Sequence, residues 1–407
     1  MTSSKLSINL CILENTYLVL VIYSLLIFSV DGILKYGSIP TYLILLGLFA
    51  TILRSPKCLA LAKFERPWFL ILMCIALSVL LGGNTVKLSH VQSFLLMFLT
   101  YLYARSIRIH KESFTYLIWV FSSFLVLNLS VMGAQLATGN QVFFLASYDY
   151  LIPTGISSDQ HLNGLLINIS YAFIQSYIIR NGHKVIAAVF FITCLFFLVI
   201  NTSRAGLLAY IVTTAYISIN TLRPKDLIKL ALLFFGGGIL LYMNVEWDDI
   251  NLFVYELLPQ ELGIAYDSAL TKYTAFFTDN SGNERYTLWM SLMDLSVLDK
   301  MKILTFGLGP GSFDSINNQT IHNTLLDVLV SIGTIGLLSV GLVIFNIFSY
   351  AASRFDRNDC FAFSAVVISI IVSSMFHDFG RARFLWFFLG LVACCCNRQT
   401  KLNSSSS

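Results

Sequence analysis

The sequence has 407 residues, of which 57% are hydrophobic and only 12% charged. Its mean hydropathy is +0.76, whereas an ordinary soluble domain is about 25% charged. This balance excludes a soluble globular enzyme, and no nucleic-acid partner is expected. Apolar runs recur along the whole length at roughly the ~20 residues that cross a ~30 Å hydrocarbon layer. A helix satisfies its own backbone polar groups in lipid. The expected fold is therefore all-α, a polytopic integral membrane protein of about twelve transmembrane helices with a large periplasmic loop that contains an amphipathic helix.

In chain order, the apolar runs predict spans near 16–34, 39–53, 68–82, 90–104, 114–136, 162–179, 185–201, 205–221, 227–244, 322–351, 360–376 and 384–396. Residues 17–30 lack the small-residue cleavage site of a signal peptide and are read as a retained helix. Orientation follows from the basic residues, which are retained on the cytoplasmic side. With the N-terminus inside, the inner loops hold Arg54, Lys57, Lys63 and Arg66, then Arg105, Arg108 and Lys111, then Arg180 and Lys184, then Arg223, Lys225 and Lys229, then Arg354 and Arg357. Every short inner loop thus carries at least two. Both termini are expected in the cytoplasm. The chain divides into a membrane region 1–244, a periplasmic loop 245–321, a second membrane region 322–396 and a cytoplasmic tail 397–407.

None of the eight cysteines falls in an outer loop on this topology, so no disulfide framework is expected. The run Cys394 to Cys396 fills a helix end, with no second His/Cys cluster at ligand spacing.

Two outer segments are long enough to fold, 137–161 and 245–321. The second is acidic, with Glu246, Asp248, Asp249, Glu256, Glu261 and Asp267 among its carboxylates against Lys272, Arg285, Lys300 and Lys302. Within it, Tyr286, Trp289, Leu292, Met293 and Leu295 to Leu298 recur at helical spacing. They predict an amphipathic helix that lies on the membrane or caps a cavity, with Asn280, Ser281 and Asn283 as candidate N-caps. Gly307 to Gly311 then form a tight turn, since glycine tolerates φ > 0 and proline fixes its own φ.

Three residues on the outer side carry candidate chemistry. Arg204 opens the eighth span, where an unpaired guanidinium near hydrocarbon is costly. It is either a snorkelling side chain or, beside a positive helix N-terminus, part of an anion site. Arg285 either pairs with Glu284 or Asp279 at the surface or serves a ligand. His322 begins an apolar helix, either as a structural residue or as a group able to take a proton near neutral pH. Guanidinium forks match diphosphate oxygens bidentately. Asp248 and Asp249 form an isolated acidic pair, and no metal site and no cofactor are expected.

The order of these elements resembles the bacterial O-antigen polymerase and O-antigen ligase superfamily. The matching residues are Ser203, Arg204, Gly206, Leu208 and Ala209, then Arg285 and Trp289, then Gly307, Gly309, Pro310, Gly311, Ser312 and Phe313, then His322, Asn323, Leu325, Gly333 and Gly336. Asp159, His161 and Asn163 stand where members carry an element entering a helix. The resemblance implies glycosyl transfer at the periplasmic face from an undecaprenyl-diphosphate-linked glycan. Its implied catalytic residue is His322 and its diphosphate ligands are Arg204 and Arg285. Asp159, His161, Asn163 and Asn323 are candidate acceptor or glycan contacts. The implied partners are the lipid-linked glycan, an acceptor glycan or lipid A-core, membrane lipids, a chain-length regulator and a flippase. Fixed guanidiniums stabilise the charge that develops on a leaving diphosphate.

About twelve spans also suit a secondary transporter, but transporters gather ionisable residues near the midplane, whereas the span interiors here hold almost no charge. A non-catalytic scaffold of a glycan-assembly complex is the third reading. The topology is checked by reporter fusions at Asp267 and Asn317, which are expected to show alkaline phosphatase activity; a strong cytoplasmic reporter signal at either position would overturn the placement of the site.

Overall fold

The computed structural model describes residues 2–28, 39–56, 60–107, 111–138, 153–157, 159–201, 203–223, 225, 290–317, 323–352, 358–376 and 383–403. Among these residues every regular element is a helix. They are α1 (Thr2–Phe28), α2 (Ile39–Arg54), α3 (Pro67–Gly82), α4 (Leu88–Ser106), α5 (Lys111–Thr138), α6 (Gln160–Arg180), α7 (Lys184–Ile200), α8 (Arg204–Thr221), α9 (Val297–Leu304), α10 (Ser312–Asn317), α11 (Thr324–Ala352), α12 (Asn358–Ser374) and α13 (Arg383–Asn403), with short 3-10 turns between some of them. Each predicted span except 227–244, which lies outside the described residues, overlaps one of these helices.

Among the described residues, 4 helices are long and apolar enough to cross a membrane: Lys63–Gly82, Ser113–Thr138, Gln160–Arg180 and Thr324–Ala352. Shorter apolar helices accompany them. Large apolar side chains such as Leu80, Trp119, Val185 and Phe345 stand exposed, as lipid contact requires.

Two sequence expectations are corrected. The amphipathic helix expected through Leu298 is not continuous. A 3-10 turn, Ser291–Asp294, ends where Leu295 turns extended (ψ 153°). Ser296 then starts α9 afresh, its hydroxyl accepting from the Asp299 N–H at 3.1 Å. Val297, Leu298, Met301 and Leu304 nevertheless form an exposed apolar ridge on α9. The span expected over 322–351 is likewise not one unbroken helix. Gly333 adopts φ 73° and ψ 179°, which separates residues 324–332 from residues 334–352.

The chain forms two compact units, one of Met1–Ser29, Tyr36–Val120 and Asp279–Ser407, the other of Val30–Lys35 and Phe121–Thr278. In the first, α13 is the central helix. Its residues from Phe384 to Cys395 are buried on every side, as expected of a helix apolar all round. It lies close along α4 because Gly390 has no Cβ; one placed there would meet Ala104 Cβ and Tyr101 O at 2.7 Å. Trp68 of α3 joins the two, with ring centroids 5.0 Å from Tyr101 and 4.9 Å from Trp386. Beside this aromatic cluster lies a buried ion pair. The Arg105 guanidinium donates to Glu65 and, at 2.7 Å, to Ala60 O. The Tyr101 hydroxyl donates to the other Glu65 oxygen at 2.5 Å.

In the second unit α6 is central, buried continuously from Asn163 to Ser176 and packed against α7 and α8. The rings of Tyr171 and Tyr210 pack at 4.3 Å, tilted by 42°, across α6 and α8, and the Tyr210 hydroxyl reaches α7 by donating to Phe191 O at 2.6 Å.

Glu65 is fully buried, so removing its partner leaves an uncompensated charge. Arg105→Met is expected to cost about 3–5 kcal/mol, and the added change Glu65→Leu to recover most of it. Thermal unfolding of the detergent-purified variants measures both.

Candidate functional site

In the second unit the starts of α6 and α8 lie side by side. Asp159 caps α6, its carboxylate accepting from the His161 and Leu162 N–H groups at 2.6 and 3.0 Å. Ser203 caps α8, its hydroxyl accepting from the Gly206 N–H at 3.2 Å. Such caps satisfy the otherwise unpaired N–H groups of a first turn. The two caps are linked, since His161 Nδ1 lies 3.4 Å from Ser203 Oγ. Close approach depends on two glycines: a Cβ on Gly206 would meet Gly164 Cα at 3.3 Å, and one on Gly164 would meet Ser203 Cβ at 3.1 Å. Arg204, half-buried, is the first residue of α8 and follows directly on the Ser203 cap.

A chain of buried amides holds this arrangement. Asn128 Nδ2 donates to Asn163 Oδ1 at 2.8 Å, and Asn163 Nδ2 donates to Asn201 Oδ1 at 2.9 Å. Asn201 Nδ2 then donates to Gln160 O at 2.7 Å. Behind it, Asn128 Oδ1 accepts from the Ile156 N–H at 2.9 Å, and Gln135 pairs with both the N–H and the C=O of Gly155. Gly155 has φ 63°, and a Cβ there would come within 2.3 Å of Asn128 Oδ1. Asn168 Nδ2 donates to Gly206 O at 2.7 Å. The amide of Asn163 is thus engaged inside the protein, and Asp159 serves as a cap. Sequence reasoning missed Asn128, Gln135, Asn168 and Asn201. Their signal was available: amides within apolar spans find partners on neighbouring helices.

In the first unit, Asn323 caps α11, its Oδ1 accepting from Leu325 N at 2.9 Å and Leu326 N at 3.1 Å. His322 immediately precedes it, and both His322 and Arg285 lie outside the described residues, as do Asp248, Asp249 and Trp289. The Gly307 to Gly311 turn is present, with φ of 89°, 101° and 78° at its three glycines. Leu308 and Phe313 pack with Val330 of α11 in a small apolar core. After Asn323, Thr324 and Asp327 line a largely apolar cavity with Trp68, Phe94, Met97, Ser374 and Trp386. Among the described residues, no three His, Cys, Asp or Glu side chains gather to hold a metal ion.

Apolar helices, a helix-opening arginine and a glycine-rich turn ahead of a capped apolar helix are the features of an integral membrane protein. Residues 189–341 match the family described as O-antigen ligase. Over that segment, which runs from α7 into α11, the chain is similar to that family, in line with the resemblance read from its motifs. Asp159, His161 and Asn163 lie before the matched segment. No curated protein matches the chain.

The amide chain is checked by Asn163→Ala, which strips partners from Asn128 and Asn201 and is expected to cost about 1–3 kcal/mol for each buried group left unsatisfied. The exposed Asn181→Ala serves as the neutral control. Equal unfolding temperatures for the two variants would show that the amides contribute nothing.

Proposed function

We propose that this protein is a polymerase of lipid-linked surface-polysaccharide repeat units, of O-antigen, capsule or exopolysaccharide type. In this reading it transfers glycan from undecaprenyl diphosphate to an acceptor sugar hydroxyl at the periplasmic face of the inner membrane, with both termini in the cytoplasm. Residues 245–321 form the periplasmic region between the two membrane regions. The family match over residues 189–341, which contains Arg204, Arg285, the glycine-rich turn and His322, supports glycan transfer of this general class, and the choice of polymerase rests on the sequence from His322 to Asp327 followed by a short glycine-spaced helix.

In this mechanism Arg204 and Arg285 hold the diphosphate. Breaking the anomeric C–O bond places negative charge on the leaving diphosphate, and fixed guanidiniums stabilise that charge most strongly in the transition state. His322 takes the proton of the acceptor hydroxyl as its oxygen forms the new bond to the anomeric carbon. The Ser203 cap supports the role of Arg204 by fixing the first turn of α8. His161, linked to the same cap, is the best placed of the remaining candidates to contact glycan. Asp159, Asn163 and Asn323 contribute by shaping the helix starts. The accompanying partners are membrane lipids, a chain-length regulator and a flippase.

The second reading is ligation of the lipid-linked glycan to lipid A-core, favoured by the description of the matching family as O-antigen ligase.

The test uses purified protein in liposomes with lipid-linked glycan extracted from cells that lack the chain, with EDTA present and no nucleotide sugar. A product ladder supports the polymerase, and one acceptor-linked product supports the ligase. His322→Ala is expected to lower the rate by about 10² to 10⁴. Arg204→Lys and Arg285→Lys keep the charge but lose the bidentate fork, so transfer is expected to fall well below wild type in each. Full activity in all three variants, or no product from the wild-type protein, would overturn the reading.

A further inference from the structure

The break in α11 is repaired by main chain from elsewhere. In an unbroken helix, Val330 O and Ser331 O accept from the N–H groups four residues on. Gly333 prevents this, and Val330 O instead accepts from Leu308 N at 2.8 Å while Ser331 O accepts from Gly309 N at 3.1 Å. Ile335 N donates to Thr305 O at 3.3 Å. The approach is so close that side chains are excluded. A Cβ on Gly333 would meet Thr305 O at 2.2 Å, and one on Gly307 would meet Ser331 O at 2.5 Å.

The far end of the same segment is fastened to the start of α4. Lys87 N donates to Pro310 O at 2.9 Å. The Thr85 hydroxyl donates to Ser312 Oγ at 3.1 Å, and the Ser315 hydroxyl donates to Thr85 O at 2.9 Å. His90 closes the contact: a Cβ on Gly311 would meet its Nδ1 at 2.7 Å, and its Nε2 stands 3.6 Å from Asp314 Oδ2. Asp314 is only 8% exposed, and its other oxygen has no hydrogen-bond partner among the described residues. Such a carboxylate is costly to bury unless the group facing it compensates.

His90, Phe94 and Met97 share one face of α4 by their spacing. Phe94 and Met97 line the cavity headed by Thr324 and Asp327, so His90 stands one turn outward of that cavity. We propose that residues 305–315 are a strap that positions the start of α11, the helix that His322 precedes in the sequence, and that His90 and Asp314 are its clasp and thereby positioning residues for glycan transfer. The inference rests on the reading of His322 as the proton acceptor. A displacement of about 1 Å at a reacting group is enough to lose about a hundredfold in rate.

The experiment has two arms, both on the full-length protein in liposomes. Hydrogen exchange follows the peptides covering 305–315 and 324–332, with α12 as the internal reference. His90→Ala and Asp314→Asn are each expected to speed exchange in both peptides by at least about tenfold and to leave α12 unchanged. In the kinetic arm, with extracted lipid-linked glycan as the probe, kcat is expected to fall about a hundredfold while KM stays within about twofold. His90→Gln, which keeps an N–H donor facing Asp314, is expected to restore most of kcat. If Asp314→Asn does not insert, Thr85→Val, which removes the hydroxyl link to Ser312, takes its place. Faster exchange in 305–315 with residues 324–332 at the wild-type rate overturns the proposal, as does a wild-type kcat in His90→Ala. A wild-type protein that transfers no glycan refutes the functional reading alone, and the exchange arm still decides whether the strap exists.

Discussion

A buried main-chain N–H or C=O must find a partner, and the first unit is arranged around one place where a helix cannot supply its own. Residues 307–314 are buried throughout, in a chain whose surroundings are largely lipid, where irregular backbone is tolerated only inside protein. The glycine-rich turn and the broken helix answer the same requirement. The turn offers N–H groups that have no ladder of their own, and the helix offers carbonyls that its break has orphaned. Neither conformation would be stable without the other.

The second unit meets a related requirement with side chains. The loop before α6 presents the N–H of Ile156 and both polar groups of Gly155 to the interior, and Asn128 and Gln135 on α5 receive them. Asn163 and Asn201 extend that line to the cap of α8. Asn128, Gln135, Asn163 and Asn201 each both donate and accept, so the line continues through them with their amides paired. The arginine at the head of α8 therefore stands on a scaffold of satisfied polar contacts rather than on apolar packing, which is adaptable and does not fix direction.

Much of this was legible in the sequence. Apolar runs located the helices, because span length and hydropathy are set by the bilayer and not by tertiary detail. The polar punctuation around Ser203, Arg204 and Asn323 located helix starts, because capping is local chemistry. Gly333 was not legible as a break. Gly336 and Gly341 lie on the same helix and remain helical, and what distinguishes Gly333 is the arrival of Thr305 and Gly307 from outside the helix. The extended backbone at Leu295 was hidden for the same reason: Leu292, Leu295 and Ile303 turn toward Leu308, Phe313 and Val330, and that demand overrides helical spacing. The amides of α5 and α6 were visible as letters but not as a connected line, since their partners come from distant segments.

The position of the break divides labour along α11. Residues 334–352 are about 28 Å long at the helical rise of 1.5 Å per residue, close to the ~30 Å of a hydrocarbon core. They suffice to cross it alone. Residues 324–332 are then not needed for that length and form a short rod with its own direction. The partial positive charge of its capped N-terminus is directed by the geometry at Gly333 rather than by the tilt of the spanning segment.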